Sequence, residues 1–324
     1  MRHWLLSFCL LGLAATCAAQ KLPAEFDHDR ILLVAKSPEG STLRIYTDSG
    51  GGGGRITRAT ADRLKLASTE EVDDDGHKMT LVEFPRFVLQ AGIPTPNPKR
   101  GLHDHLIVVP DDSLEVGVDM FLGSTWFSDR VWQIDYPRHE LSLVEGYRPG
   151  PQDHEIPVGF VSNALGVRQL DFPRITIAVD GEPFDVLLDT GATITTSDQS
   201  AAAFQVAPGA RVAGSFIAKA LFDDWHARHP DWKVIEQGDV LHGKAFALIE
   251  VPKVTVAGSE VGPVWFAQRP DGVWKSTGMM GPLMDKEIHG AFGGSGLHWF
   301  RIVLDYPRAK AWFRLDRPQT AAAN

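Results

Sequence analysis

The sequence predicts a mainly β protein built from two similar lobes, with few helices and a cleft between the lobes. Short β-branched and apolar runs alternate with Gly, Pro and Asp through both halves, which is typical of strands joined by turns. Several segments occur twice in the same order. Each half also contains an apolar strand that ends in Asp-Ser-Gly or Asp-Thr-Gly.

Length and composition fit two globular lobes. The chain has 324 residues, of which 44% are hydrophobic and 23% charged. These values are those of a folded protein, and the length suffices for two domains with their own cores. The formal net charge of −9 gives an acidic surface that repels phosphate backbones, so we expect no nucleic-acid partner.

The first residues predict a signal peptide over 1–19. A short basic start is followed by an apolar run over 4–15 and then by small residues, with cleavage expected after Ala19. The run is shorter than the roughly 20 residues that a spanning helix needs, so no membrane span is expected. We therefore predict an exported, periplasmic or secreted protein. The alternative is a lipoprotein anchored through Cys17.

Both cysteines, Cys9 and Cys17, lie in this leader. Cleavage after Ala19 would leave a mature chain without a thiol. That excludes cysteine nucleophiles, disulfides and cysteine-based zinc sites.

The internal duplication defines the lobes. Glu83 in VEFPR and Glu250 in IEVPK are 167 positions apart, and two DYPR segments begin at Asp135 and Asp305, which are 170 apart. A glycine stands twelve positions before each DYPR segment: Gly123 in LGSTWF and Gly293 in FGGSGL. The turn-rich segment GYRPGP between the halves reads as a linker. We expect an N-terminal lobe over 20–148 and a C-terminal lobe over 149–324.

The second half carries about 26 extra residues between its DTG and IEVPK segments. Within them, Ile217, Leu221 and Trp225 have i, i+4, i+8 spacing. This spacing predicts an amphipathic helix over 216–228 that ends before Pro230. The segment ITIAVDGEPFDVLLD predicts two strands joined by a turn at 180–181 and leading into the DTG.

The two Asp-containing segments predict a carboxylate pair. Asp48 and Asp189 each stand at the end of an apolar strand, where the strand fixes their position. The following hydroxyl residue can brace the loop, and the glycine permits a tight turn. One such loop from each lobe would bring the two carboxylates face to face. Because two carboxyl groups so close together cannot both be ionised, the pair would hold one proton. A pair in that state can both accept and donate a proton, which suits hydrolysis of an amide.

FDVLLDTGAT resembles the active-site strand of the retropepsin-like and pepsin-like aspartic peptidases. GAFGGSGLHWFRIVLDYPR and MFLGSTWFSDRVWQIDYPR resemble the hydrophobic-hydrophobic-Gly segment of that superfamily and the strand after it. The whole pattern is similar to bacterial exported proteins with two retropepsin-like repeats in one chain. The resemblance implies two acid-protease-type β-barrel lobes, an aspartic endopeptidase activity on peptide or protein substrates, no cofactor and no metal.

The resemblance also implies roles for particular residues. It makes Asp48 and Asp189 the catalytic pair. The loop-bracing residues would be Ser49, Gly50, Thr190, Gly191 and Ala192. Hairpin flaps would have their tips at Gly76 and Gly243, which are again 167 positions apart. Since both repeats lie in one chain, the pair needs no dimerisation, and we expect a monomer.

The first loop differs from the second by its glycine run, Gly50–Gly54. Such a run is costly to order, so whether the loop is fixed before substrate binds is left open. Neither Gly51 nor Ala192 offers a hydroxyl to the ionised pair. We therefore expect the shared proton to persist to higher pH, with activity in mildly acidic to neutral conditions.

Other interpretations of the motifs are weaker. No Lys-Ser/Thr follows Gly54, which argues against a phosphate-binding loop. The histidines at 103, 105, 226 and 229 are expected on the solvated surface rather than at a metal. The main alternative function is an inactive peptide-binding or inhibitor protein of the same architecture. A peptidase that processes one specific partner would look the same in sequence.

Overall fold

The computed structural model describes residues 19–72, 76–88, 91–102 and 104–316. Apart from Ala19, the predicted signal peptide lies outside the described residues, as does the tail after Asp316. The predicted mainly β, two-lobed fold is confirmed. The barrel form expected for each lobe is corrected: within the described residues each lobe is an open sheet, because its two end strands do not pair with each other.

The first half contains eleven strands and two short α-helices among the described residues. In chain order they are β1 (Ala19–Lys21), β2 (Ala24–Asp27), β3 (Arg30–Lys36), β4 (Thr42–Thr47), β5 (Arg55–Thr57), α1 (Arg58–Arg63), β6 (Ser68–Val72), β7 (Lys78–Glu83), β8 (His105–Val109), β9 (Met120–Leu122), α2 (Ser124–Phe127), β10 (Val131–Asp135) and β11 (Glu140–Val144).

The second half repeats this plan with additions. Its elements are β12 (His154–Pro157), β13 (Arg174–Val179), β14 (Glu182–Leu188), β15 (Thr193–Thr195), α3 (Ala201–Phe204), β16 (Arg211–Ala213), β17 (Ser215–Ala218), α4 (Lys219–Arg228), β18 (Val234–Leu241), β19 (Lys244–Val251), β20 (Val254–Val256), β21 (Ser259–Val261), β22 (Val264–Arg269), β23 (Gly290–Phe292), α5 (Gly294–Leu297), β24 (Phe300–Asp305) and β25 (Lys310–Leu315).

Three large sheets organise the molecule. The first lobe has the order β2-β3-β4-β9-β5-β8-β7-β6, and the second has β18-β19-β22-β17-β23-β14-β13-β20-β21. A six-stranded central sheet, β1-β11-β10-β24-β25-β12, joins them. Each lobe therefore contributes three neighbouring strands to the central sheet, and the join lies between β10 and β24.

The pairing of β10 with β24 joins equivalent strands of the two repeats. The strands are antiparallel, with Gln133 opposite Val303 at the centre and Asp135 opposite Arg301 near one end. Gln133 and Val303 are 170 positions apart, which is the offset of the DYPR repeat. A pseudo-two-fold axis therefore passes between these two residues and relates the lobes.

Both DYPR segments end a strand and form a turn, as the sequence predicts. The Asp135 carboxylate accepts the Arg138 backbone N–H (3.1 Å), and the Asp305 carboxylate accepts the Arg308 N–H (2.9 Å). These local bonds hold the chain in a turn before the next strand begins. The predicted 180–181 turn is also confirmed: Asp180 and Gly181 have φ of 53° and 80°, as a tight hairpin between twisted strands requires.

The predicted helix over 216–228 is shorter than expected. It begins at Lys219, while the preceding four residues form β17. Ile217 therefore belongs to a strand, and the buried residues of the helix are Phe222 and Trp225. The spacing was misleading because β17 pairs with β22 on one side and β23 on the other, a long-range contact that outweighs local helical periodicity.

Candidate active site

Asp48 and Asp189 are held by equivalent backbone bonds. Each directly follows a strand, β4 or β14, that pairs in parallel with β9 or β23. The Asp48 N–H donates to the Leu122 carbonyl (2.9 Å), and the Asp189 N–H donates to the Phe292 carbonyl (3.0 Å). The apolar strands lock into the cores of their lobes, so each aspartate is fixed at the interface between lobes.

The two loops brace each other through their hydroxyl residues. The Ser49 N–H donates to Thr190 Oγ1, and the Thr190 N–H donates to Ser49 Oγ, both at 3.0 Å. The Ser49 hydroxyl also donates to the Leu188 carbonyl (2.7 Å). Ser49 and Thr190 are completely buried. This exchange fixes the separation of the lobes at the point where the aspartates stand.

Two glycines let the carboxyl groups approach across the interface. A Cβ atom on Gly50 would stand 2.5 Å from Asp189 Cγ, and one on Gly191 would overlap Asp48 Cγ. No side chain other than hydrogen fits at either position. Each carboxyl group therefore reaches the loop that carries the other, so Asp48 and Asp189 lie together at the interface.

Burial raises the pKa of both carboxyl groups. The pKa of Asp48 rises above its ordinary value because of desolvation, and that of Asp189 rises well above it because of desolvation and the neighbouring Asp48 charge. Backbone donors oppose this trend: the Gly50 N–H reaches Asp48 Oδ1 (2.8 Å), and the Gly191 N–H reaches Asp189 Oδ1 (3.0 Å). The pair therefore keeps one proton over a wide pH range, and that proton belongs to the pair as a unit.

The raised pKa of Asp189 predicts how stability depends on pH. Its folded-state pKa lies above the ordinary 3.8, so the protonated form favours the folded state. This contribution is complete below the ordinary value and is lost as the pH rises through the folded-state pKa. Asparagine does not ionise, so the Asp189→Asn protein does not lose this stability as the pH rises. We therefore expect its melting temperature to exceed that of wild type at about pH 8, and the difference to be smaller at about pH 4. A variant that melts below wild type at the higher pH would contradict this.

Tyr46 joins the two loops and was missed by the sequence analysis. Its hydroxyl donates to the Gly191 carbonyl (2.8 Å) and lies 2.7 Å from Thr193 Oγ1. Burial raises its pKa, which keeps the phenol protonated as a donor. The signal was present in YTDSG: Tyr46 precedes Asp48 by two positions, and alternate residues of a strand share a face.

The glycine run is tied to the lobe at two points. The Ser124 N–H donates to the Gly51 carbonyl (2.9 Å), and the Ile107 N–H donates to the Gly54 carbonyl (3.0 Å). The Gly51 N–H donates to the Asp48 carbonyl (3.2 Å), as the Ala192 N–H does to the Asp189 carbonyl (3.3 Å). The first loop therefore has the same turn as the second despite its different sequence.

The two predicted flap tips lie in hairpins, but the hairpins are placed differently. Gly243 is in the turn between β18 and β19, with φ of 73°, and Leu241 and Phe246 beside it line a cavity at the carboxyl pair. Gly76 has φ of 83° and lies in the turn between β6 and β7, part of which falls outside the described residues. The described residues of that hairpin do not line the cavity.

The cavity has a volume of about 470 Å³ and reaches from the carboxyl pair into the second lobe. Asp48, Asp189, Gly50 and Gly191 are among its lining residues. Its other walls are largely apolar. The arrangement places a polarised, proton-sharing pair at one end of a groove that can take a side chain.

The histidines considered as metal ligands lie apart from the carboxyl pair. His229 Nε2 is 2.6 Å from Asp180 Oδ2, and its ring stacks on Trp232. His105 lies beside Asp104, and residue 103 is outside the described residues. Among the described residues no three His, Cys, Asp or Glu side chains are grouped to hold a metal ion. In that same part of the chain no helix is long and apolar enough to cross a membrane.

Neither a family model nor a curated protein matches the chain. Among solved structures it is similar to conglutin gamma, a basic 7S globulin from lupine seeds, with 9% sequence identity and a TM-score of 0.45. The alignment covers 93% of this chain and 96% of that one. This likeness is too distant to bear on activity, so the case for a function depends on the geometry of the site.

Proposed function

We propose that the chain is an aspartic endopeptidase in which Asp48 and Asp189 activate a water molecule for attack on a peptide bond. The observation that supports this is the pair itself: a half-buried and a buried carboxyl group that each lie against the loop of the other lobe, both with raised pKa values. A merely structural role would not need two glycines that admit the opposing carboxyl group.

The geometry suggests how the proton moves. The positive charge of Arg55 favours the ionised form of Asp48, so we assign the shared proton to Asp189 for the first step. Asp48 would take a proton from water as the water oxygen bonds to the carbonyl carbon, and Asp189 would donate its proton to the carbonyl oxygen. The proton on Asp48 then passes to the leaving nitrogen as the C–N bond breaks, and Asp189 recovers its proton from the tetrahedral diol.

The first test is hydrolysis of a broad peptide mixture by purified protein between about pH 3 and pH 8. We expect cleavage in mildly acidic to neutral conditions, because activity needs one proton on the pair and both pKa values are raised. A statin-type inhibitor, whose hydroxyl mimics the diol, should block it. An optimum below about pH 3, as pepsin-like pairs show, would contradict the pH prediction.

If the folded protein cleaves nothing over that range, the endopeptidase proposal fails. The same cleft would then serve to hold a peptide without cutting it. Binding of a peptide with unchanged mass after incubation would support that alternative.

A further inference from the structure

The second lobe leaves an opening where its cleft-facing strands meet. Ala291 on β23 lies opposite Leu187 on β14 and Phe216 on β17. All three line the cavity that begins at the carboxyl pair. The middle residue of this row carries only a methyl group and is 1% exposed, so it belongs to the packed floor of the cavity, and a larger side chain there would have to project into the cavity.

The first lobe fills the corresponding position. Phe121 on β9 lies opposite Tyr46 on β4 and Arg55 on β5, in the same register as Ala291 in the second lobe. The Phe121 ring packs against Gly51 so closely that a Cβ there would overlap it. The Arg55 guanidinium carbon is 5.5 Å from the ring centroid. A bulky ring and an exposed cation thus replace the opening found in the other lobe.

The walls of the second-lobe cavity suit an uncharged side chain. Arg269 is buried, with its guanidinium carbon 4.1 Å and 5.0 Å from the ring centroids of Phe216 and Phe246. Its charge is matched by Asp239, at 2.6 Å from Nη2. Arg269 therefore braces two aromatic walls. The other arginine of the lining, Arg211, is paired with Glu115 at 3.2 Å, so neither arginine offers the cavity an unpaired charge.

The mouth of the cavity carries exposed apolar side chains. Met279 is 71% exposed and Leu241, at the tip of the β18–β19 hairpin, is 37% exposed. Trp274 and Met280 continue the lining inward, where they are buried. A bound apolar side chain would cover Met279 and Leu241 and would also contact Trp274 and Met280.

We propose, on the basis of the endopeptidase function above, that the preferred substrates carry a large uncharged apolar residue on only one side of the scissile bond. That side chain enters the cavity over Ala291. The residue on the other side of the bond faces Phe121 and Arg55, where a small or acidic side chain fits better than a second bulky one. The specificity is set by the contrast between Ala291 and Phe121, at equivalent positions of the two lobes.

The test is a peptide library with each position varied, incubated with wild type, Ala291→Phe and Phe121→Ala. We expect wild type to cleave peptides with Phe, Leu or Met on one side about 10- to 100-fold better, in kcat/KM, than peptides with Ala there. Ala291→Phe should cut that ratio by about tenfold or more. Phe121→Ala should newly admit large residues on the opposite side of the bond.

The second variant keeps the test informative if the first one does not fold. Circular dichroism and a thermal melt establish whether Ala291→Phe is folded, and Phe121→Ala only removes a partly buried ring, so it remains informative should the first variant unfold. Cleavage without a one-sided preference, or an unchanged preference in the folded variants, would overturn the inference while leaving the endopeptidase proposal intact.

If wild type cleaves nothing, the cavity is tested by calorimetry with reduced-amide peptides carrying Phe or Ala at the central position. Tighter binding of the Phe peptide to wild type but not to Ala291→Phe supports the apolar site without any catalysis. Equal binding of the two peptides, or no binding of either, overturns it.

Discussion

Asp189→Asn should reduce kcat/KM for peptide hydrolysis by about 10⁴-fold or more, and Asp48→Asn should do the same. Asparagine keeps the shape of each side chain but can neither accept the proton of the attacking water nor cycle a proton to the carbonyl oxygen. Because the two carboxyl groups act as a unit, the double variant should lose little beyond either single one. The measurement is a fluorogenic peptide cleaved in the assay above, with protein concentrations high enough to follow slow turnover.

Asp198→Asn is a matched control for these substitutions, since Asp198 is an exposed carboxylate of the second lobe. It undergoes the same chemical change and should retain wild-type activity. Circular dichroism shows whether each variant is folded. A folded Asp189→Asn protein that keeps activity within tenfold of wild type would rule out the proposed pair.

Gly50→Ala should lower kcat/KM by about 100-fold or more, because its new methyl group would stand 2.5 Å from Asp189 Cγ. The only ways to relieve that overlap are to move the carboxyl group or to open the braced loops. Either change separates the pair and weakens its hold on the shared proton. The pH–rate profile should therefore narrow as well as fall in height.

Gly52→Ala makes the same addition two residues further along the loop, where a Cβ atom meets nothing within 4 Å. We expect activity close to wild type and a thermal stability equal or slightly higher, since alanine restricts the unfolded chain. The comparison separates crowding of the pair from loss of glycine flexibility. Equal losses in both variants would mean that loop mobility, rather than approach of the carboxyl groups, limits the reaction.

Much of the site could be predicted because the duplication is visible as repeated segments in the sequence. The repeated DYPR segments fix the antiparallel pairing of β10 with β24, and this pairing brings Asp48 opposite Asp189. The same offsets carry a further signal. The DYPR offset alone pairs Phe121 with Ala291, and that difference shapes the cavity.

Other features depend on contacts that no local pattern contains. The start of the helix at Lys219 follows from the insertion of β17 between two distant strands. The position of the β18–β19 hairpin beside the cavity, and of the described part of β6–β7 away from it, depends on how each lobe packs. Tyr46 reaches the second lobe because the lobes are already braced by Ser49 and Thr190.

The central sheet also decides when the carboxyl pair can exist during synthesis. Asp48 leaves the ribosome 141 residues before Asp189, and β24, the partner of β10, follows later still. A half-made chain therefore contains one ordinary aspartate and a strand β10 whose edge has no partner. The pair can assemble only once the second half of the chain has been made and β24 has docked on β10. Completion of the nascent chain is thus the step that creates the candidate active site.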